Sequence, residues 1–203
     1  VVQSNSKALE WIQKSANQGF ALAQSGLGYI YEYGEGVPKD LKLAFSWYQK
    51  AAEQGDPWSQ TSLAFMYEFG KGVTKDLKLA FSWYQKAADQ GDESAQGNLG
   101  YMYQNGLGVT KDLKLAISWY QKAADQGNYK AQNNLGDMYE NGIGVTKDSK
   151  IAFSLYQKAA EQGSAISQGN LGYMYQNGNG VNKNLNQAAI WYQKAADQDN
   201  AYA

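Results

Sequence analysis

Arginine, histidine and cysteine are absent from this chain of 203 residues, and proline occurs only twice. Each absence removes a class of chemistry. Without histidine, the usual neutral-pH general base and the commonest metal ligand are missing. Without cysteine there is no thiolate nucleophile, no disulfide and no finger-type zinc site. Without arginine there is no bidentate fork for phosphate or carboxylate. The remaining 18 basic residues are lysines, set against 19 acids for a formal net charge of −1. Nucleic-acid affinity rests on concentrated positive charge, so this balance argues against a nucleic-acid partner. No apolar run approaches the roughly 18–20 residues that cross a bilayer. The opening VVQSN lacks the apolar stretch of a signal peptide. A chain without cysteine suits the cytosol, the periplasm and the exterior equally. Nothing in the composition calls for a cofactor or a metal.

What the chain does have is a period. The block from Gln24 reads QSGLGYIYEYGEGVPKDLKLAFSWYQKAAEQGDPWS, and the same frame restarts at Gln60, Gln96, Gln132 and Gln168. A fixed period of 36 residues falls in the range of helical-repeat arrays. In the third copy, Leu99, Met102 and Tyr103 follow a helical spacing that Asn105 and Gly106 end. Asp112 is placed as the N-cap of a second helix. That helix carries Leu113, Ala116, Ile117, Tyr120 and Ala123 on one side and stops at Gly127. Lys122 near its carbonyl end complements the helix dipole. Each unit therefore reads as helix, loop, helix. Ala95, Gly100, Ala116 and Ala123 are small where helices approach, and Leu99, Tyr103, Trp119 and Tyr120 fill the space between. One such hairpin cannot bury both apolar faces, so neighbours must stack on it. The paired glycines (Gly34/Gly36 and their four repeats) invite a phosphate-loop reading. They follow a helix rather than a strand, lack a third glycine in register and recur five times, which fits a turn between helices better.

The string A-Q-x-x-L-G-x-M-Y-x-x-G-x-G-V-x-K-D, then A-x-x-W-Y-x-K-A-A-x-Q-G, resembles the Sel1-like repeat, a relative of the tetratricopeptide repeat with a longer interhelical loop. The departures are Ala64 for the first-helix Gly, Leu155 for the second-helix Trp and Asp199 for the terminal Gly. The resemblance implies an all-α, right-handed α-solenoid of about 11 helices with a tetratricopeptide-like superhelix. In the 36-residue frame it divides into a partial repeat, 1–23, and full repeats at 24–59, 60–95, 96–131, 132–167 and 168–203. Both ends then fall inside a unit, which predicts a single solenoid cut from a longer array. The resemblance also implies an adaptor that binds partners and has no active site of its own.

In such stacks the first helix of each unit lines the concave groove, and there the copies differ. One position reads Tyr29, Phe65, Tyr101, Asp137, Tyr173, a ladder of rings suited to a peptide or a sugar, or else to packing between helices. Another reads Asn98, Asn134, Asn170, amides able to hold an extended backbone or to bond within the fold. Glu32, Glu68, Asp137 and Glu140 make the groove mildly acidic against Lys130, favouring a neutral or basic partner segment. Tyr33 and Phe69 add rings, and Ser25 and Asn133 stand at further groove positions. Trp58, the one Trp out of register, is either an anchor at the groove edge or a packing variant. The leading function is a non-enzymatic protein–protein scaffold binding a partner segment in that groove. The alternative is a glycan or cell-wall-fragment binder that uses the same rings and amides. An enzyme is disfavoured, because Asp137 and Glu140 lie three residues apart on one helix with nothing converging on them.

Overall fold

The computed structural model describes residues 2–200, with the side chains of residues 7–198. Those residues form helices and no strands. The helices are α1 (Val2–Asn17), α2 (Ala21–Tyr33), α3 (Leu41–Glu53), α4 (Pro57–Phe69), α5 (Leu77–Asp89), α6 (Glu93–Asn105), α7 (Leu113–Asp125), α8 (Tyr129–Asn141), α9 (Ser149–Glu161), α10 (Ala165–Asn177) and α11 (Leu185–Asn200). They fall into two compact units, Val1–Thr110 and Lys111–Ala203. Even-numbered helices are the first helices of the repeats, and odd-numbered ones the second.

The local signals act where the sequence puts them. Asp40, Asp76, Asp112 and Asp148 cap the second helices, each accepting from the two amides that start its helix. Gly34, Gly70, Gly106, Gly142 and Gly178 end the first helices in the left-handed conformation, where glycine avoids the Cβ clash. In three of the five pairs the second glycine has a different duty. A Cβ on Gly72, Gly108 or Gly180 would run into the carbonyl of Leu41, Leu77 or Ser149 respectively. The loop therefore lies directly on the first turn of the preceding second helix. In these three repeats the second glycine packs the loop against the neighbouring repeat.

The structure shifts the repeat boundary. First helices begin at Ala21, Pro57, Glu93, Tyr129 and Ala165, so the frame set at the glutamines cuts into their first turns. α11 also runs on to Asn200, past the point where its siblings stop. Asp199 stands there in place of the left-handed glycine.

In the first unit Ala44, Tyr48, Ala52, Leu63 and Met66 form a buried cluster. In the second, Ala152, Tyr156, Ala160, Leu171 and Met174 do the same. Gly28, Gly136 and Gly172 sit so close to the rings of Tyr48, Tyr156 and Tyr192 that a methyl there would displace them. The frame-marking glutamines are hydrogen-bonded ties. Gln60 Nε2 donates to the Ala52 carbonyl at 3.1 Å, and its Oε1 accepts from Gln90 Nε2 at 2.8 Å. Gln168 repeats the pattern with Ala160 and Gln198. Each buried amide thus spans three consecutive helices with its donor and acceptor satisfied.

Candidate interaction face

Along the first helices the constant Gln and Leu of each repeat are buried, and most of the aromatic residues at varying positions reach the surface. In the first unit Tyr33 and Trp58 are 61% and 45% exposed. The ring of Tyr29 lies 4.6 Å from that of Tyr33 and 6.1 Å from that of Trp58. Trp58 also stands edge-on to the buried Tyr48, at 5.4 Å. It is therefore both a packing residue and a surface ring. One repeat on, the rings of Phe65 and Phe69 lie 4.5 Å apart and tilted, with Lys71 Nζ 4.4 Å from the Phe65 centroid. Tyr101 is 47% exposed and Asn98 is half-buried.

The acids on these helices do more than colour a groove. Tyr48 donates its hydroxyl to Glu32 at 2.8 Å, and Tyr84 to Glu68 at 2.8 Å. A phenol at the end of a buried ring needs an acceptor, and the fold supplies a carboxylate from the facing first helix. Burial, joined by that carboxylate's charge, pushes the pKa of both phenols far above the ordinary value. Glu32 and Glu68, expected to make a groove acidic, are half-buried acceptors for the tyrosines beneath them.

The second unit varies the scheme. Asp137 occupies the ring position, and Tyr156 turns to it, at 2.5 Å. Glu140 is thereby released from the tyrosine and accepts instead from Asn179 Nδ2 at 3.2 Å, with Lys147 Nζ 3.8 Å away. Its second oxygen is buried without a hydrogen-bond partner. Burial raises the Asp137 pKa, and the Tyr156 hydrogen bond opposes the rise. The amides are engaged: Asn134 donates to the Tyr120 hydroxyl at 3.3 Å, and Asn170 to Asn133 Oδ1 at 3.2 Å. Asn133 is buried rather than in a groove, because its oxygen also takes the Ser167 hydroxyl at 2.9 Å. Ser25, at the same position of the first repeat, is buried too. Tyr173 is 53% exposed. A cleft of about 540 Å³ lined by Tyr129, Lys130, Asn134, Ser164 and Ile166 lies at the start of α8.

Five lysines lie over the tryptophans of second helices, among them Lys86 over Trp83 at 3.8 Å and Lys122 over Trp119 at 3.9 Å. Among the described residues, no group of three or more carboxylates is placed to hold a metal ion. None of the described helices is long and apolar enough to cross a membrane.

The Sel1 repeat model matches residues 1–20, 21–56, 59–92, 93–128, 130–164 and 165–200. The chain belongs to the Sel1 repeat family. Its boundaries in that model follow the helix starts. Among solved structures it is similar to c5321, a protective antigen of uropathogenic Escherichia coli with the same repeat fold (40% identity, TM-score 0.88). It covers 94% of itself and 41% of that chain in the match. A Sel1 repeat protein from Oxalobacter formigenes is 37% identical with a TM-score of 0.87, over 95% of this chain and 56% of that one. Helicobacter pylori cysteine-rich protein B is 27% identical with a TM-score of 0.50, over 64% of this chain and 94% of that one. The chain thus spans about half the length, or less, of the first two relatives. No curated protein matches it significantly. Sel1 repeats generally mediate protein–protein interaction and are generally non-catalytic, and the all-helical Sel1 solenoid expected from the sequence is what these structures share.

The residue between the paired glycines escaped the sequence reading. It is Glu35, Lys71, Leu107, Ile143 and Asn179 in turn. Its signal was visible: a varying position inside a constant loop.

Proposed function

We propose that the chain is a non-enzymatic adaptor that holds an extended or helical segment of a partner protein against the first-helix face. The observation that carries this reading is the exposure of rings at the positions where the period is broken. Tyr33, Trp58, Phe69, Tyr101 and Tyr173 are all exposed, while the constant Leu27, Leu63, Leu99, Leu135 and Leu171 of the same helices are fully buried. Exposed aromatic side chains offer large contact area at low entropic cost and are enriched at interface hot spots. The acids beside them favour a neutral or basic segment and disfavour nucleic acid. A protein ligand is preferred to a glycan because Asn134 and Asn170, the amides that would meet sugar hydroxyls, bond within the fold.

A photo-crosslinking residue placed at Tyr33 or Tyr101 tests this directly. One placed at Ser82, exposed on a second helix, is the control. Partner adducts are expected at the first two positions and not at the third. Equal adducts at Ser82 would show that the first-helix face is not the binding face.

A further inference from the structure

The residue between the paired glycines lies six positions after the first ring of each pair, and its charge differs between the first two repeats. In the second repeat it is Lys71, whose ammonium lies 4.4 Å from the centroid of Phe65, with Phe69 tilted against that ring. The first repeat has the same ring pair, Tyr29 and Tyr33, at almost the same separation, 4.6 Å. Trp58 adds a third ring beside them. Here the residue between the glycines is Glu35. The internal ammonium is therefore replaced by a carboxylate, and the three rings are left partly exposed. Glu35 chiefly raises the Tyr29 phenol, and Glu32 the Tyr33 phenol. Both carboxylates thus lie near the hydroxyl ends of these rings.

Ring faces carry negative electrostatic potential, and a cation within about 6 Å of a ring centroid is attracted to it, most strongly by Trp. A neighbouring carboxylate adds Coulomb attraction. A lysine stem can also lie along the apolar rings while its head meets the charge. We infer that Tyr29, Tyr33 and Trp58, with Glu35 and Glu32, receive a lysine side chain of the partner protein, in the place that Lys71 fills internally one repeat later. This rests on the first-helix face being the binding face, and it names the chemistry that face selects.

The test is a titration of the intact chain with Nα-acetyl-lysine methylamide and with its norleucine analogue. The readout is the Trp58 indole N–H resonance, assigned by its loss in Trp58→Phe. The lysine amide is expected to shift it with an affinity about tenfold above that of norleucine. Glu35→Lys, an exposed loop change that recreates the Lys71 arrangement, is expected to reduce that affinity about tenfold or more with no change in melting temperature. Equal affinities for the two amides, no shift with either, or an unchanged affinity in Glu35→Lys would each overturn the inference. None of these outcomes alters cross-linking at Tyr101, so failure here is distinguishable from failure of the adaptor reading.

Discussion

Burial separates the roles of Tyr101 and Ala116. Tyr101 is about half exposed, whereas Ala116 is fully buried where two helices meet. Tyr101→Ala is expected to change stability by no more than about 0.5 kcal/mol and to weaken partner binding. Ala116→Leu is expected to cost about 1–3 kcal/mol through overpacking. Thermal melts of both variants check this, and a loss of several kcal/mol in Tyr101→Ala would put that ring in the core. Asp137 adds a pH dependence. Burial raises its pKa in the folded chain, so between the unfolded value and the raised one the folded state holds more protons. Its contribution to stability is then full at low pH and falls as pH rises through that window. The stability gain from Asp137→Asn is therefore expected to be larger at pH 7 than at pH 3 in denaturant titrations. A gain that is the same at both pH values would show that Asp137 ionises freely in the fold.

At the scale of elements, the paired glycines allow a comparison within one loop. Gly70 and Gly72 have nearly equal positive φ, 68° and 70°. A Cβ on Gly70 would meet only ordinary contacts about Lys75, so Gly70→Ala is expected to cost the left-handed penalty of about 1 kcal/mol. On Gly72 it would strike the Leu41 carbonyl, and Gly72→Ala is expected to cost about 3 kcal/mol, strain and overpacking together. Chemical denaturation of the two variants measures the difference, and equal losses would remove the loop-on-helix contact as a tie between repeats. The helices themselves were legible in the sequence because caps and stops are local: Asp112 and Gly106 act where the spacing put them. The tie between Tyr48 and Glu32 was not legible. It joins residues 16 apart on two helices, and only the packing angle decides that the hydroxyl meets the acid. The same holds for the fourth repeat, where one change, Asp137 for a ring, redirects Tyr156 and releases Glu140. The first-helix positions where the copies differ were legible from the repeat itself. The reading failed at Ser25 and Asn133, because a varying residue can also vary at a buried contact between repeats.

For the molecule as a whole, repetition means that stability is distributed among neighbours rather than held in one core. A hairpin array touches only its adjacent hairpins, so its stability is close to a sum of repeat and nearest-neighbour terms. The outermost described helices have the fewest such terms. Tyr192 of α11 is 39% exposed where its counterparts Tyr48 and Tyr84 are fully buried, and Trp11 of α1 is exposed where Trp47 is buried. Native-state hydrogen exchange is therefore expected to be fastest in α1 and α11 and slowest in α3–α5 and α8–α9. Gln60→Ala sharpens the point, because it removes one hydrogen bond from the Ala52 carbonyl and one from the Gln90 amide, which keep Gly55 N–H and the Lys86 carbonyl as partners. Each lost hydrogen bond costs about 0.5–1.5 kcal/mol net. If stability is a nearest-neighbour sum, that loss falls on α3, α4 and α5, and the amides of α9 and α10 keep their protection. Exchange that rises by the same factor in every helix would instead show a single all-or-none folding block, and the one-dimensional account would fail.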